Sequence, residues 1–217
     1  MQILLATTNQ GKIAEVTHIL SQCGIEVISL ADVETTAQVE TGSTFTENAL
    51  LKARYYRQAS GLMTIADDSG LEVEALGGAP GVYSARYGGE RASNEDRIKK
   101  LLDELKDVPQ EQRGACFICV AAVVWDGGEK AFTGEVRGRI VSETRGRNGF
   151  GYDPVFFYEP LGRTFAELTA PEKTEVSHRG LAFRQLAQWL REGVAIDTSK
   201  PSDRINNPTG DFFVCSQ

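Results

Sequence analysis

Cysteine is scarce in this chain: Cys23, Cys116, Cys119 and Cys215 are the only four in 217 residues. "CFIC" at 116–119 has a metal-like spacing, but it lies inside the apolar run "ACFICVAAVVW". In a strand, a spacing of three sends two side chains to opposite faces, and no second Cys or His pair completes a zinc site. Buried structural thiols are expected and disulfides are not, which fits the cytoplasm. Long apolar runs are also missing, since none approaches the roughly 18 residues that span a bilayer. The opening "MQILLATTNQGK" has no basic segment before its apolar part and no small-residue cleavage site, so it reads as a first strand. Positive charge is in deficit as well: 23 Lys and Arg against 30 Asp and Glu give a net charge of −7. With no basic stripe, general attraction to nucleic acid or to an anionic membrane is excluded. An anionic ligand must then be met by locally clustered cations or by a metal ion.

What remains is an ordinary globular composition, 41% hydrophobic and 24% charged, without internal repeats. "QILLAT" reads as a buried strand, and "GKIAEVTHILSQCG" as a helix with an Ile13, Val16, Ile19 and Leu20 stripe closed by Gly24. "IEVISL" is a second strand, and this strand–helix–strand opening predicts an α/β fold. In "STFTENALLKARYYRQASG", Ser43 or Thr44 caps a helix with Glu47 placed for a capping box, and Phe45, Ala49, Ala53 and Tyr56 face inward. "LMTIA" is the next strand, expected to end at the pair Asp67 and Asp68. "LGGAPGVYSARYGGE" is a glycine-rich loop, followed by the helix "SNEDRIKKLLDELK". "ACFICVAAVVW" and "KAFTGEVRGRIV", joined by "DGGE", predict a long antiparallel hairpin. "GRNGFGYDPVFFY" is a loop leading into a short strand, and "SHRGLAFRQLAQWLRE" is the last helix, with Leu181, Leu186 and Leu190 facing inward. One domain is expected over residues 1–194, with an irregular tail at 195–217.

Two stretches carry chemistry. "TTNQGK", Thr7 to Lys12, follows a strand and opens a helix, where backbone N–H groups and the positive dipole end suit a phosphate. Lys12 opposes that dipole, so an anionic ligand explains it better than helix stability does. The stretch is not a P-loop, since it lacks the first Gly and the final hydroxyl. On its own it leaves phosphate binding and a plain helix start both open. "ADDSGLEVEAL" sets Asp67, Asp68 and Ser69 side by side. It reads either as a polar turn or as a carboxylate that holds a metal or activates water. Adjacent strand residues point to opposite faces, so the two acids need not compete for one site.

"TTNQGK", "ETGSTFTENALLKA", "DDSGLEVEALGGAPGVYSARY", "GFGYDPVF" and "EVSHRGLAF" occur here in the order found in the inosine triphosphate pyrophosphatase family. The chain resembles that family from residue 1 to about 193. The resemblance implies hydrolysis of ITP, dITP and XTP to the monophosphate and pyrophosphate, with Mg²⁺ dependence. It implies a homodimer of elongated mixed α/β subunits, each with two lobes and the active site in the cleft between them. Carried over by motif, Thr7, Thr8, Asn9, Gln10, Gly11 and Lys12 hold the triphosphate. Asp68 is the general base and a metal-associated carboxylate, expected to face the cleft while Asp67 supports the loop or the outer metal shell. Glu40 is a second metal-side carboxylate, and Ser69 contacts substrate. Phe150, Gly151, Tyr152 and Asp153, with Lys173, His178 and Arg179, form the nucleoside side. Phe150 is the expected stacking platform, and Arg179, His178 or backbone N–H groups the donors that read the 6-oxygen of the base. Without the resemblance, Glu40 and Lys173 read as solvated loop charges and His178 as a polar residue at a helix start. A pyrophosphatase for other modified nucleotides and a nucleotide-binding module without turnover are the alternative readings.

Overall fold

The computed structural model describes residues 2–33, 41–89 and 91–192. The tail at 195–217 and Glu40 lie outside the described residues. Strand β1, Gln2–Leu5, leads into helix α1, Gln10–Ser21, and strand β2, Glu26–Ser29. β2 pairs with β1 in parallel, the βαβ unit expected from the alternation of apolar run and helical stripe. Helix α2, Phe45–Ser60, starts at Thr44, whose hydroxyl accepts the Glu47 N–H. Glu47 reaches back to Ser43 rather than to Thr44, so both candidate residues take part in the cap.

Strand β3 runs Thr64–Val73, and the expectation that it ends at the aspartate pair is corrected here. It is held along its full length by strand β4, Gly114–Trp125, in unbroken antiparallel register from Thr64 opposite Val124 to Val73 opposite Ala115. Asp67 and Asp68 therefore sit mid-strand. Ladder hydrogen bonding and burial override the turn preference of Asp, Ser and Gly at 67–70. Between β3 and β4 lies helix α3, Asn94–Glu104, whose Ser93 and Asp96 form a capping box. β4 turns through Asp126 and Gly127 into strand β5, Gly128–Ile140, as the hairpin signal predicted. Short strands β6, Phe156–Tyr158, and β7, Arg163–Thr164, complete one open, mixed seven-stranded sheet of order β2-β1-β3-β4-β5-β6-β7. Helices α4, Ala170–Val176, and α5, His178–Arg191, close the described chain.

Alternation along the central strands sorts the core. Ile65, Cys119 and Ala121 meet α1 and α5 on one face, while Ala66, Val120 and Ala122 meet α2 on the other. Beyond them a second apolar cluster joins Leu71, Phe117, Val136 and Phe156 to Ile98 and Leu101 of α3. In α5 the buried stripe is Ala182, Phe183, Leu186, Ala187 and Leu190, and Leu181 is exposed. The helix spaces its inward positions three and four apart from Phe183, which leaves Leu181 off the stripe. Gly134 of β5 lets α5 come this close: a Cβ there would stand 2.1 Å from the His178 carbonyl oxygen. Cys119 is fully buried, and desolvation together with the Asp67 charge pushes its thiol pKa up to about 12, the inert thiol expected. Cys116 and Cys23 are half-buried.

β1 pairs with β3 only at Leu4–Thr64 and Leu5–Ile65, and then stops. Farther along, the Leu71 and Val73 N–H groups on that side donate to Ser84 Oγ and the Ala79 carbonyl oxygen, so the edge lies open from about Ala66 to Ser69, just beyond the carboxyl end of β1. In open α/β sheets that is where ligands bind.

Candidate active site

A cleft of about 410 Å³ runs along this edge. Because adjacent strand residues point to opposite faces, Asp67 and Asp68 approach the edge from different sides. Asp68 lines the cleft on the α2 side. Asn48 Nδ2 donates to its Oδ2 at 3.1 Å, and Lys52 Nζ lies 3.8 Å from Oδ1. Lys52 also donates to the Asp67 carbonyl oxygen on the open edge, at 2.6 Å. Asn48 is in turn fixed by its Oδ1, which accepts the Gly42 N–H at 2.8 Å.

Asp67 has another task. Its side chain is fully buried, and its Oδ2 accepts from Lys12 Nζ at 2.9 Å and from Arg179 Nε at 3.4 Å. Burial alone would raise the pKa of this carboxyl. The charges of Lys12, Arg179 and Lys52 outweigh it and hold the group well below the usual carboxylate range. Asp67 is thus a counter-ion to two cleft cations, and it stands mid-strand rather than in the loop it was expected to support.

The turn from Thr7 to Lys12 leads from β1 into α1, as the sequence suggests. Asn9 caps α1 by accepting the Lys12 N–H at 3.1 Å, and Thr7 Oγ1 accepts the Asn9 N–H at 3.2 Å. The N–H groups of Gln10 and Gly11 fall in the first turn, where no intrahelical acceptor exists. Thr7, Thr8, Asn9 and Lys12 line the cleft, whereas the Gln10 and Gly11 side-chain positions do not. Gln10 is exposed, and Gly11 is a packing glycine: a Cβ there would stand 2.5 Å from the Phe150 ring.

The opposite wall is built at the junction of α4 and α5. Ser177 ends one helix and caps the next by accepting the Gly180 N–H, which sets His178 and Arg179 in the first turn of α5. Arg179 is almost fully buried. It gives Nη1 to Glu15 at 2.6 Å and Nη2 to Ser69 at 2.8 Å, besides Nε to Asp67. Lys173 Nζ pairs with Glu15 at 2.8 Å and with Asp153 at 2.6 Å. Asp153 also accepts the Phe150 N–H at 2.8 Å, pinning the turn that presents Phe150, Gly151 and Tyr152. Burial raises the Asp153 pKa even against the Lys173 charge. The Phe150 ring lies under both cations, 4.7 Å from Lys173 and 5.4 Å from Arg179, in cation–π range. His178 stacks on Phe117 with ring centroids 4.6 Å apart, and its Nδ1 is buried without a partner.

Desolvation, then the Arg179 and Lys173 charges, keep the His178 pKa well below its ordinary value. The unfolded chain therefore binds the extra proton first as pH drops below about 6.5, and stability falls with it. Thermal melts should show the midpoint dropping between pH 7.5 and 5.5, with that component absent in His178→Gln. A slope unchanged in the variant would place its origin elsewhere.

The structure thus gathers Thr7, Thr8, Asn9, Lys12, Asp68, Ser69, Phe150, Gly151, Tyr152, Asp153, Lys173, His178 and Arg179 around one cleft. Sequence reasoning missed Glu15 and Asn48. Each carried a weak signal: Glu15 lies one helical turn from Lys12, and Asn48 is a polar residue beside the inward stripe of α2. Among the described residues no three His, Cys, Asp or Glu side chains cluster to hold a metal. Mg²⁺ does not need such a cage, since it takes one or two protein carboxylates and completes its shell with phosphate oxygens and water. Asp68 in the cleft is a fitting donor on those terms.

Fold and site together define an open mixed α/β protein with an acid and a cluster of cations around one cleft. Residues 3–189 match the model of the Ham1 family, and the chain belongs to that family. A dITP/XTP pyrophosphatase of Shigella flexneri is 48% identical over 195 residues, covering 88% of this chain and 99% of that protein. One from Frankia alni is 50% identical over 200 residues, covering 88% and 98%. The solved HAM1 protein of Coxiella burnetii superposes with a TM-score of 0.82 at 42% identity, covering 89% of this chain and all of that one.

Proposed function

We propose that this chain hydrolyses nonstandard purine nucleoside triphosphates (ITP, dITP and XTP) to the monophosphate and pyrophosphate. The names of its relatives support the reaction class. The observation that carries the reading is the cleft-facing Asp68, set beside Lys52 and across the β3 edge from Lys12. A nucleoside triphosphate brings roughly four negative charges, and a chain of net charge −7 must concentrate compensation where it binds.

Lys12, Lys52 and the start of α1 take the phosphates in this reading, while Phe150 stacks on the base. Arg179, Lys173 and His178 read the base edge. Their buried donors lose their acceptor when a 6-amino purine replaces a 6-oxo one, which is how polar sites reject analogues. Asp68 orients and deprotonates the water that attacks the α-phosphorus. When Mg²⁺ is bound, by Asp68 and on the resemblance by Glu40, it supplies charge neutralisation on the phosphates. No described helix is long and apolar enough to cross a membrane. Cytoplasmic location, the homodimer and the single domain over 1–194 belong to the same proposal.

The test is incubation with Mg²⁺ and ITP or XTP, with ATP and GTP in parallel, followed by identification of the phosphate product. Pyrophosphate from ITP and XTP, with little turnover of ATP or GTP, is the expected result. Orthophosphate would move the cut and undo the mechanism, and ITP bound without product would make the chain a binding module.

A further inference from the structure

Three buried polar side-chain atoms lack a hydrogen-bond partner among the described residues: Asp67 Oδ1, His178 Nδ1 and Arg97 Nε. The first two belong to the site already described, but Arg97 does not. It stands on α3, one residue before Ile98, which packs with Leu101, Leu71 and Tyr152 in the second core cluster. It lines the cleft, as Ser84 and Tyr152 do, and lies near enough for its charge to act on the Tyr152 hydroxyl. Every other cation lining the cleft has a carboxylate: Lys12 has Asp67, Lys52 has Asp68, and Lys173 and Arg179 share Glu15. Arg97 has only a neutral anchor, its Nη1 donating to Asn94 Oδ1 at 3.0 Å. That bond orients the planar fork and leaves donors to spare. A guanidinium on a cleft wall whose buried Nε has no acceptor is a group awaiting one.

The location narrows what the acceptor is. The phosphate-directed cations Lys12 and Lys52 lie by β1 and α2, whereas Arg97 shares its wall with Tyr152, in the turn that presents Phe150. Tyr152 is itself fixed there by donating to the Ser84 carbonyl oxygen at 3.0 Å. The nucleoside, not the triphosphate, is therefore the part within reach. On the base, the 6-oxygen is already served by Arg179, Lys173 and His178. Xanthine differs from hypoxanthine by a second ring carbonyl at C2, and its ring gives up a proton far more readily. A fixed, uncompensated guanidinium favours that more electron-rich edge through a charge-assisted hydrogen bond.

We propose that Arg97 is a specificity-determining residue that selects purines with a second ring carbonyl, xanthine over hypoxanthine. The inference rests on the reading of the cleft as a purine nucleotide site. In Arg97→Gln, which keeps a good helix former at an N-terminal turn of α3, kcat/KM for XTP should fall about tenfold relative to ITP. Arg97→Lys, which keeps the charge but loses the fork, should fall between. Binding of XMP and IMP, followed by calorimetry, should show the same loss of xanthine preference without any turnover. Equal losses for XTP and ITP, no change in their ratio, or a shift confined to ITP against dITP would each overturn the proposal. The last outcome would reassign Arg97 to the ribose. If the native protein binds XMP and IMP but cleaves no triphosphate, the enzymatic reading fails, and the XMP/IMP ratio in Arg97→Gln still decides this one.

Discussion

Asp68→Asn should lower kcat by roughly a hundred- to ten-thousandfold, the range that a positioned general base contributes. The substitution is nearly isosteric. Asn48 Nδ2 keeps an oxygen to donate to, and the β3–β4 ladder on either side is backbone alone. Lys52, 3.8 Å from Asp68, retains its bond to the Asp67 carbonyl oxygen and so stays anchored. The melting temperature should accordingly move little while turnover of ITP collapses. Steady-state rates and a thermal melt on the same preparation check both halves. Turnover near the native value would remove Asp68 from the mechanism.

Arg179→Ala should be costly to the fold as well as to selectivity. The side chain is buried and holds Asp67 and Glu15 together from more than a hundred residues further along the chain. Removing one member of a buried ion-pair network leaves the others uncompensated, at about 3–5 kcal/mol. Lys12 still pairs with Asp67 and Lys173 with Glu15, so the lower end of that range is expected. For a chain of this size that is a fall of roughly 6–12 °C in melting temperature. Discrimination of ITP from ATP should shrink in parallel, and Arg179→Lys should recover part of the stability but little of the discrimination, since the forked geometry is lost. Unchanged ITP/ATP selectivity in a folded Arg179→Ala protein would take base reading away from this residue.

How much of this was legible beforehand depended on the range of the interaction. The α1 stripe, the α2 stripe and the Asp126–Gly127 hairpin are local, and the sequence pattern carries them. The extent of β3 was not legible, because "DDSG" has the composition of a turn and only pairing with β4, some fifty residues on, makes it a strand. The place of Asp68 followed from the family resemblance. The partners of Asp67 did not, because they come from α1 and from α5 and meet only in the folded chain. Leu181 was misplaced for a simpler reason. Leucines were counted as the stripe, whereas smaller residues such as Ala182 and Ala187 occupy the inward positions.

The two neighbouring aspartates hold unlike posts, one an ionised counter-ion locked among cations, the other open to the cleft. What assigns the posts is only the parity of their positions along β3. A slip of one residue in the pairing of β3 with β4 would turn each side chain to the opposite face. Asp68 would then be sealed against Lys12 and Arg179, and Asp67 or Ser69 would look into the cleft. Substitutions in β4 that loosen the ladder, far from any reacting atom, would thereby silence the chemistry by exchanging the identities of two residues without altering either.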